Sequence, residues 1–144
     1  MASTFAALAN GGDIYCPILV DSIRRMENRK YVSVMVAEPT TYLEGVIDRK
    51  IVDTLQPMIR AVITSGTGRP INVEGMGLRG KTGTAQLGSD NSREIAWIIA
   101  FNTEGNEKKL VCVMVDAPSG KGGARNPVAK GLFEEIKRHN AAGR

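Results

Sequence analysis

Little in this chain could hold a metal or a nucleic acid. Its 144 residues include one histidine and two cysteines, Cys16 and Cys112. Neither cysteine has a second at ligand spacing, and one histidine cannot complete a zinc site, so no cofactor is expected. Aromatic residues make up only 5% of the chain, too few for the stacking platform that single-stranded nucleic acids require, so no nucleic-acid partner is expected. No apolar run approaches membrane-spanning length. Met1 to Asn10 lacks the basic start and the length of a secretory leader. No internal repeat, low-complexity tract or interdomain linker interrupts the chain. Residues 1–144 are therefore treated as one unit.

What is present suits a globular domain. The chain is 42% hydrophobic and 24% charged, with a formal net charge of +4. That is enough apolar material for one sizeable core. The mild basicity has two readings, solubility or a surface for anionic ligands. Ala2 to Leu8 reads as a helix end stopped by Asn10-Gly11-Gly12. Ile18 to Val20 reads as a short extended stretch. Tyr31 to Val36 reads as a strand with Val32, Val34 and Val36 on one face. Asp48 to Thr64 has the spacing of a long helix, with Ile51, Leu55, Met58, Ile59, Val62 and Ile63 as its apolar stripe. Pro57 predicts a kink or a late start there. Gly80 to Leu87 is expected to be extended, because its glycines and threonines disfavour helix. Ile95 to Phe101 and Leu110 to Val115 are almost continuously apolar, the pattern of strands covered on both faces. Cys112 sits in the second of these runs, which predicts a buried, inert thiol. Gly105-Asn106 between them is a hairpin signal. Arg125 to Asn140 reads as a closing helix with Val128, Leu132, Phe133 and Ile136 inward.

The feature with chemistry in it is Lys81-Thr82-Gly83-Thr84. On a strand, Thr82 and Thr84 share a face. Gly83 leaves room for a ligand to approach the backbone, and Lys81 adds a positive charge. Such an edge suits a carboxylate on an extended peptide.

With these residues the sequence resembles the penicillin-binding proteins, the D,D-transpeptidases that cross-link peptidoglycan. That family combines Ser-x-x-Lys, Ser-x-Asn and Lys-Thr-Gly elements. The resemblance also takes in Phe5-Ala6-Ala7-Leu8-Ala9-Asn10-Gly11-Gly12, the turn Ser65-Gly66-Thr67-Gly68, the strand Gly80 to Gln86, and Ala96-Trp97-Ile98-Ile99-Ala100-Phe101. It runs from about Phe5 to about Ile136. It implies an α+β fold, part of a penicillin-binding transpeptidase (serine β-lactamase-like) domain with antiparallel strands packed against helices. It implies that Lys81, Thr82 and Thr84 hold the carboxylate of a stem peptide or β-lactam, that Gly83 permits close approach, and that the Thr84 backbone N–H is one of two oxyanion donors. It also implies a parent protein anchored outside the cytoplasmic membrane.

The departure is the nucleophile. No Ser-x-x-Lys or Thr-x-x-Lys occurs, so the chain is expected to be the recognition part of such a domain, unable to form an acyl adduct by itself. The segment with the nucleophile is then an expected partner. The strand Leu110 to Val115 would expose an edge through which chains could self-associate. Ser89-Asp90-Asn91 spells the second family element but follows Lys-Thr-Gly instead of preceding it, and is read as coincidence. Two other classes compete. One is a non-catalytic interaction module of the same fold. The other is a nucleotide-binding protein, since Gly75 to Thr82 fits G-x-x-x-x-G-K-[ST]. A phosphate loop must open a helix, and Thr82 to Asn91 is poor helix material. Ser119 to Gly123 is read as a surface loop, the pairs Arg24-Arg25 and Lys108-Lys109 as solvated, and His139 as a helix-end residue.

Overall fold

A computed structural model describes residues 1–142. Helix α1 (Ala2–Asn10) ends where Gly11 turns left-handed, at φ 100°. A two-stranded ribbon follows: β1 (Ile14–Tyr15) pairs with β4 (Thr41–Leu43), and β2 (Ser22–Glu27) with β3 (Lys30–Val36). Helix α2 (Arg49–Thr64) leads through a 3₁₀ turn at Arg69–Ile71 to the main sheet, made of β5 (Arg79–Leu87), β6 (Arg93–Phe101) and β7 (Leu110–Pro118). Helix α3 (Arg125–Ala142) closes the chain. The sheet is antiparallel, in the order β5-β6-β7. The α+β class and its antiparallel sheet thus stand as expected. No helix among the described residues is long and apolar enough to cross a membrane.

Strand register sorts the side chains into two faces. One carries Gly80, Thr82, Ala96, Ile98, Ala100, Val111 and Val113, the other Lys81, Gly83, Trp97, Ile99, Cys112 and Met114. The first face packs onto Ile63, Ile71, Met76, Leu78, Ala129 and Phe133, which form one buried cluster. Phe133 is fully buried and supplies the largest share of apolar area that α3 brings to this core. The second face is covered at one end only. There α1 lies against β6 and β7, and Ile99 and Phe101 are buried.

Several expectations change as a result. The strands are not sandwiched between helices. Beyond α1 nothing in the described residues covers Met114, which is 55% exposed, and Cys112 beside it is exposed too. An apolar run in sequence therefore did not mean burial on both faces. Helix α2 starts at Arg49, capped by the Asp48 side chain accepting from the Lys50 N–H (2.7 Å), and runs through Pro57 without a late start. Its inward residues are Val52, Ile59 and Ile63, whereas Ile51 and Met58 are exposed. Ile18 to Val20 form no strand; they lie between β1 and β2, which starts at Ser22. Val32, Val34 and Val36 do lie on β3 but do not share one face: a register shift opposite Ile23 and Arg24 leaves Val34 without a partner and puts Val36 on the face opposite Val32, and all three are exposed.

Sequence reading missed Asn102. It is buried in the β6–β7 connection, where its amide donates to the carbonyls of Glu104 (2.7 Å) and Glu107 (2.8 Å) and its oxygen accepts from the Lys109 N–H (2.7 Å). All its strong hydrogen-bonding partners are backbone groups, so it acts as a clamp on the loop. Asn102→Ala is expected to destabilise the chain by about 1–3 kcal/mol, read as a lower urea midpoint. Val34→Ala, at a side chain 59% exposed, should leave the midpoint nearly unchanged. Equal effects of the two would contradict this account of the loop.

Candidate functional site at the free edge of the sheet

The geometry begins at Gly80. A Cβ there would strike the Ile99 carbonyl oxygen and come within 2.7 Å of the Ala100 Cβ. The absence of a side chain lets β5 and β6 approach. That contact also fixes backbone direction, because the Ile99 carbonyl must point toward β5. Lys81 and Ile99, which face each other in register, are therefore a hydrogen-bonded pair. Antiparallel ladders alternate bonded and non-bonded pairs, so Gly83 bonds inward like Lys81. The backbone N–H and C=O groups of Thr82 and Thr84 then point to the free edge of β5. Lys81 Nζ donates to the Thr82 carbonyl at 2.8 Å, as that direction allows.

The entry to this strand is held by α2. Arg60 donates to the Leu78 carbonyl at 2.6 Å. Arg79 donates to the Gln56 side chain, which in turn donates to the Leu8 carbonyl at 2.6 Å. Helices α1 and α2 are thereby both tied to the start of β5.

The structure brings all four motif residues onto this edge, in different roles. Lys81 is exposed. Thr82 is 9% exposed, and its hydroxyl shares a 2.6 Å hydrogen bond with that of Thr67. One hydroxyl of such a pair donates to the other, which leaves one proton free for a further acceptor. Gly83 sits opposite Trp97, whose Cβ would lie 3.9 Å from an added Cβ, so the space above it is open. Thr84 follows on the Thr82 face and is exposed. Thr67 was not foreseen as a contact. The Ser65–Gly68 turn was noted, but the link to Thr82 is a tertiary one that local pattern does not carry.

Chemically this is a candidate recognition edge, and Ser-x-x-Lys is missing from the sequence. The edge offers outward N–H groups, an ammonium and a hydroxyl to an anionic, extended ligand. Lys81 Nζ bonds a carbonyl rather than either threonine hydroxyl, so neither hydroxyl is paired with a base. A surface cavity of about 340 Å³ lies elsewhere, lined by Ala6, Phe101, Lys109 and Leu110 among others. Among the described residues no group of His, Cys, Asp and Glu is arranged for a metal ion. The phosphate-loop reading fails, because Gly75 to Thr82 runs into a strand rather than a helix. Ser89-Asp90-Asn91 forms the β5–β6 turn, where the Ser92 N–H and hydroxyl both donate to Asp90. Those bonds, the backbone one first, hold the Asp90 carboxyl below its usual range.

Comparison with known proteins agrees with this architecture. The family model described as penicillin binding protein transpeptidase domain matches residues 1–134. Stage V sporulation protein D of Bacillus subtilis is 28% identical over 123 residues, covering 80% of this chain and 18% of that protein. The D,D-transpeptidase domain of a peptidoglycan glycosyltransferase from Eggerthella lenta superposes with TM-score 0.71 at 24% identity, covering 94% of this chain and 31% of that one. Penicillin-binding protein A from M. tuberculosis, solved as an imipenem acyl-enzyme complex, gives TM-score 0.68 at 22% identity over 92% of this chain and 29% of that one. The chain spans less than a third of each of these relatives.

Two glycines in the strand should respond differently to substitution. Gly80→Ala meets backbone and should destabilise the chain by about 1–3 kcal/mol. Gly83→Ala should leave stability within about 0.5 kcal/mol. Thermal melts of both variants check this. A Gly83→Ala loss as large as that of Gly80→Ala would refute the register described here.

Proposed function

The chain belongs to the penicillin-binding protein transpeptidase domain family, and on that premise we propose that it is the substrate- and β-lactam-recognition half of a peptidoglycan D,D-transpeptidase that acts in bacterial wall cross-linking. The observation that carries this reading is the outward backbone of Thr82 and Thr84 on the edge of β5 that pairs with no other described strand. An extended stem peptide would add along β5 as a further strand. Its terminal carboxylate would meet the Lys81 ammonium and the free proton of the Thr82–Thr67 pair. The Thr84 N–H would serve as one oxyanion donor, aimed at charge that develops on the reacting carbonyl. Gly83 would keep the Trp97 side of the strand clear for the ligand.

The nucleophile and the second oxyanion donor would come from a segment with Ser-x-x-Lys, packed on the uncovered sheet face around Trp97 and Met114. Without that segment the chain would be inactive, and the free edge of β7 would be open to pairing with another copy. The parent protein would work outside the cytoplasmic membrane, anchored to it. A non-catalytic module of the same fold is the second reading, and it rests on the missing Ser-x-x-Lys.

The test joins this chain to the preceding part of the Eggerthella lenta domain and measures labelling by a fluorescent penicillin with intact-mass detection. The 144-residue chain alone should take no label, and the joined protein should take one equivalent. Lys81→Ala in the joined protein should slow acylation by about ten- to a hundredfold. Label on the chain alone, or a Lys81→Ala rate equal to the parent's, would overturn the assignment.

A further inference from the structure

The β2–β3 hairpin is set apart from the rest of the molecule. Every residue of β3 is exposed, and so is all of β2 except Ser22. The ribbon leaves the body at β1–β4, is held together at its base by the Cys16 N–H bonding the Thr40 carbonyl (2.9 Å) and the Ala37 N–H bonding the Asp21 carbonyl (2.7 Å), and remains two-stranded to its turn. Each strand is paired on one side and free on the other. A lone two-stranded hairpin is marginal in water, so a ribbon of this kind gains most from a third strand.

Its surface narrows the choice of partner. Read across from β2, Val32 and Met35 share the face of Arg25 and Ile23, and Tyr31 and Val36 share the face of Arg24 and Ser22, because the register shifts between Ile23 and Arg24; all four are exposed. Four cationic side chains, Arg24, Arg25, Arg29 and Lys30, stand against one carboxylate, Glu27, between Ser22 and Val36. Only Arg25 is in an ion pair among the described residues, with Glu27. Arg24 and Arg25 are successive on β2 and so project to opposite faces. Across the ladder they meet Ser33 and Val32, neither of them acidic.

We propose that this hairpin is a docking site for an extended, acidic segment of a protein partner, which adds as a third strand along the free edge of β2. Main-chain pairing supplies the register. Adjacent acidic residues on the incoming strand face Arg24 and Arg25 on the two sides of the ribbon. Apolar side chains flanking them cover the exposed valines, methionines and tyrosine. A membrane surface fits less well. The turn Glu27-Asn28-Arg29-Lys30 is polar, and the apolar side chains occupy both faces rather than one. A second copy fits less well too, because two such hairpins would juxtapose like charge. The proposal uses no residue of β5 and is independent of the transpeptidase reading.

The test is a ¹H–¹⁵N titration of the full chain with a capped peptide of valines and threonines flanking a central Glu-Glu pair. Shifts should concentrate in Ser22–Val36 and weaken with added salt. The Arg24→Glu, Arg25→Glu double variant should bind about tenfold more weakly, with its main-sheet amides unmoved. A Lys-Lys version of the peptide should not bind. No hairpin shift at millimolar peptide, or equal binding of the Lys-Lys peptide, would overturn the proposal. So would hairpin-dependent binding to phosphatidylglycerol vesicles, or hairpin-dependent self-association in sedimentation, in place of peptide binding.

Discussion

The close approach of β5 to β6 at Gly80 governs the rest. Because Gly80 has no side chain, the Ile99 carbonyl can lie against it, and Lys81 becomes the inward-bonded partner of Ile99. Every later property of the edge follows from that parity. Thr82 and Thr84 turn their backbone groups out, while Gly83 turns its own in. A slip of one residue would exchange these roles and bring Lys81 to the packed face.

The same register divides the sheet into a packed face and a largely open one. The packed face draws on α2, α3 and the loop between α2 and β5, and it holds the core cluster around Phe133. The open face keeps Trp97 half-buried and Met114 and Cys112 exposed. The candidate recognition edge, β5, lies on the boundary between the two, with Thr82 anchored on the packed side through Thr67. In the proposed reading the chain is one wall of a site. A transpeptidase needs an opposing wall with an activated serine, and this sequence has no Ser-x-x-Lys.

Much of this was legible in the sequence, and the reasons are local. The helical spacing of apolar residues from Ile51 to Ile63 announced α2, and glycines with threonines announced β5. Family membership, suggested by the order of several motifs, is borne out by a family model that matches residues 1–134. What escaped was tertiary. The apolar runs of β6 and β7 suggested cover on both faces, yet Cys112 and Met114 have none. Asn28 and Arg29 form the β2–β3 turn at φ 48° and 63°, a two-residue reversal that favours asparagine but normally asks for glycine next. With arginine in that place the hairpin signal was hidden. Arg24-Arg25, read as a solvated pair, are exposed on β2 as expected. Asn102 and Thr67 act only through partners brought near by folding, which spacing along the chain cannot reveal.

Amide hydrogen exchange on the chain tests the central claim, the backbone parity of β5, most directly. The Lys81 and Gly83 N–H groups, bonded to β6, should be protected. The Thr82 and Thr84 N–H groups should exchange at close to free-chain rates. Protection of Thr84 with rapid exchange at Gly83 would place the opposite backbone groups on the edge and contradict the account.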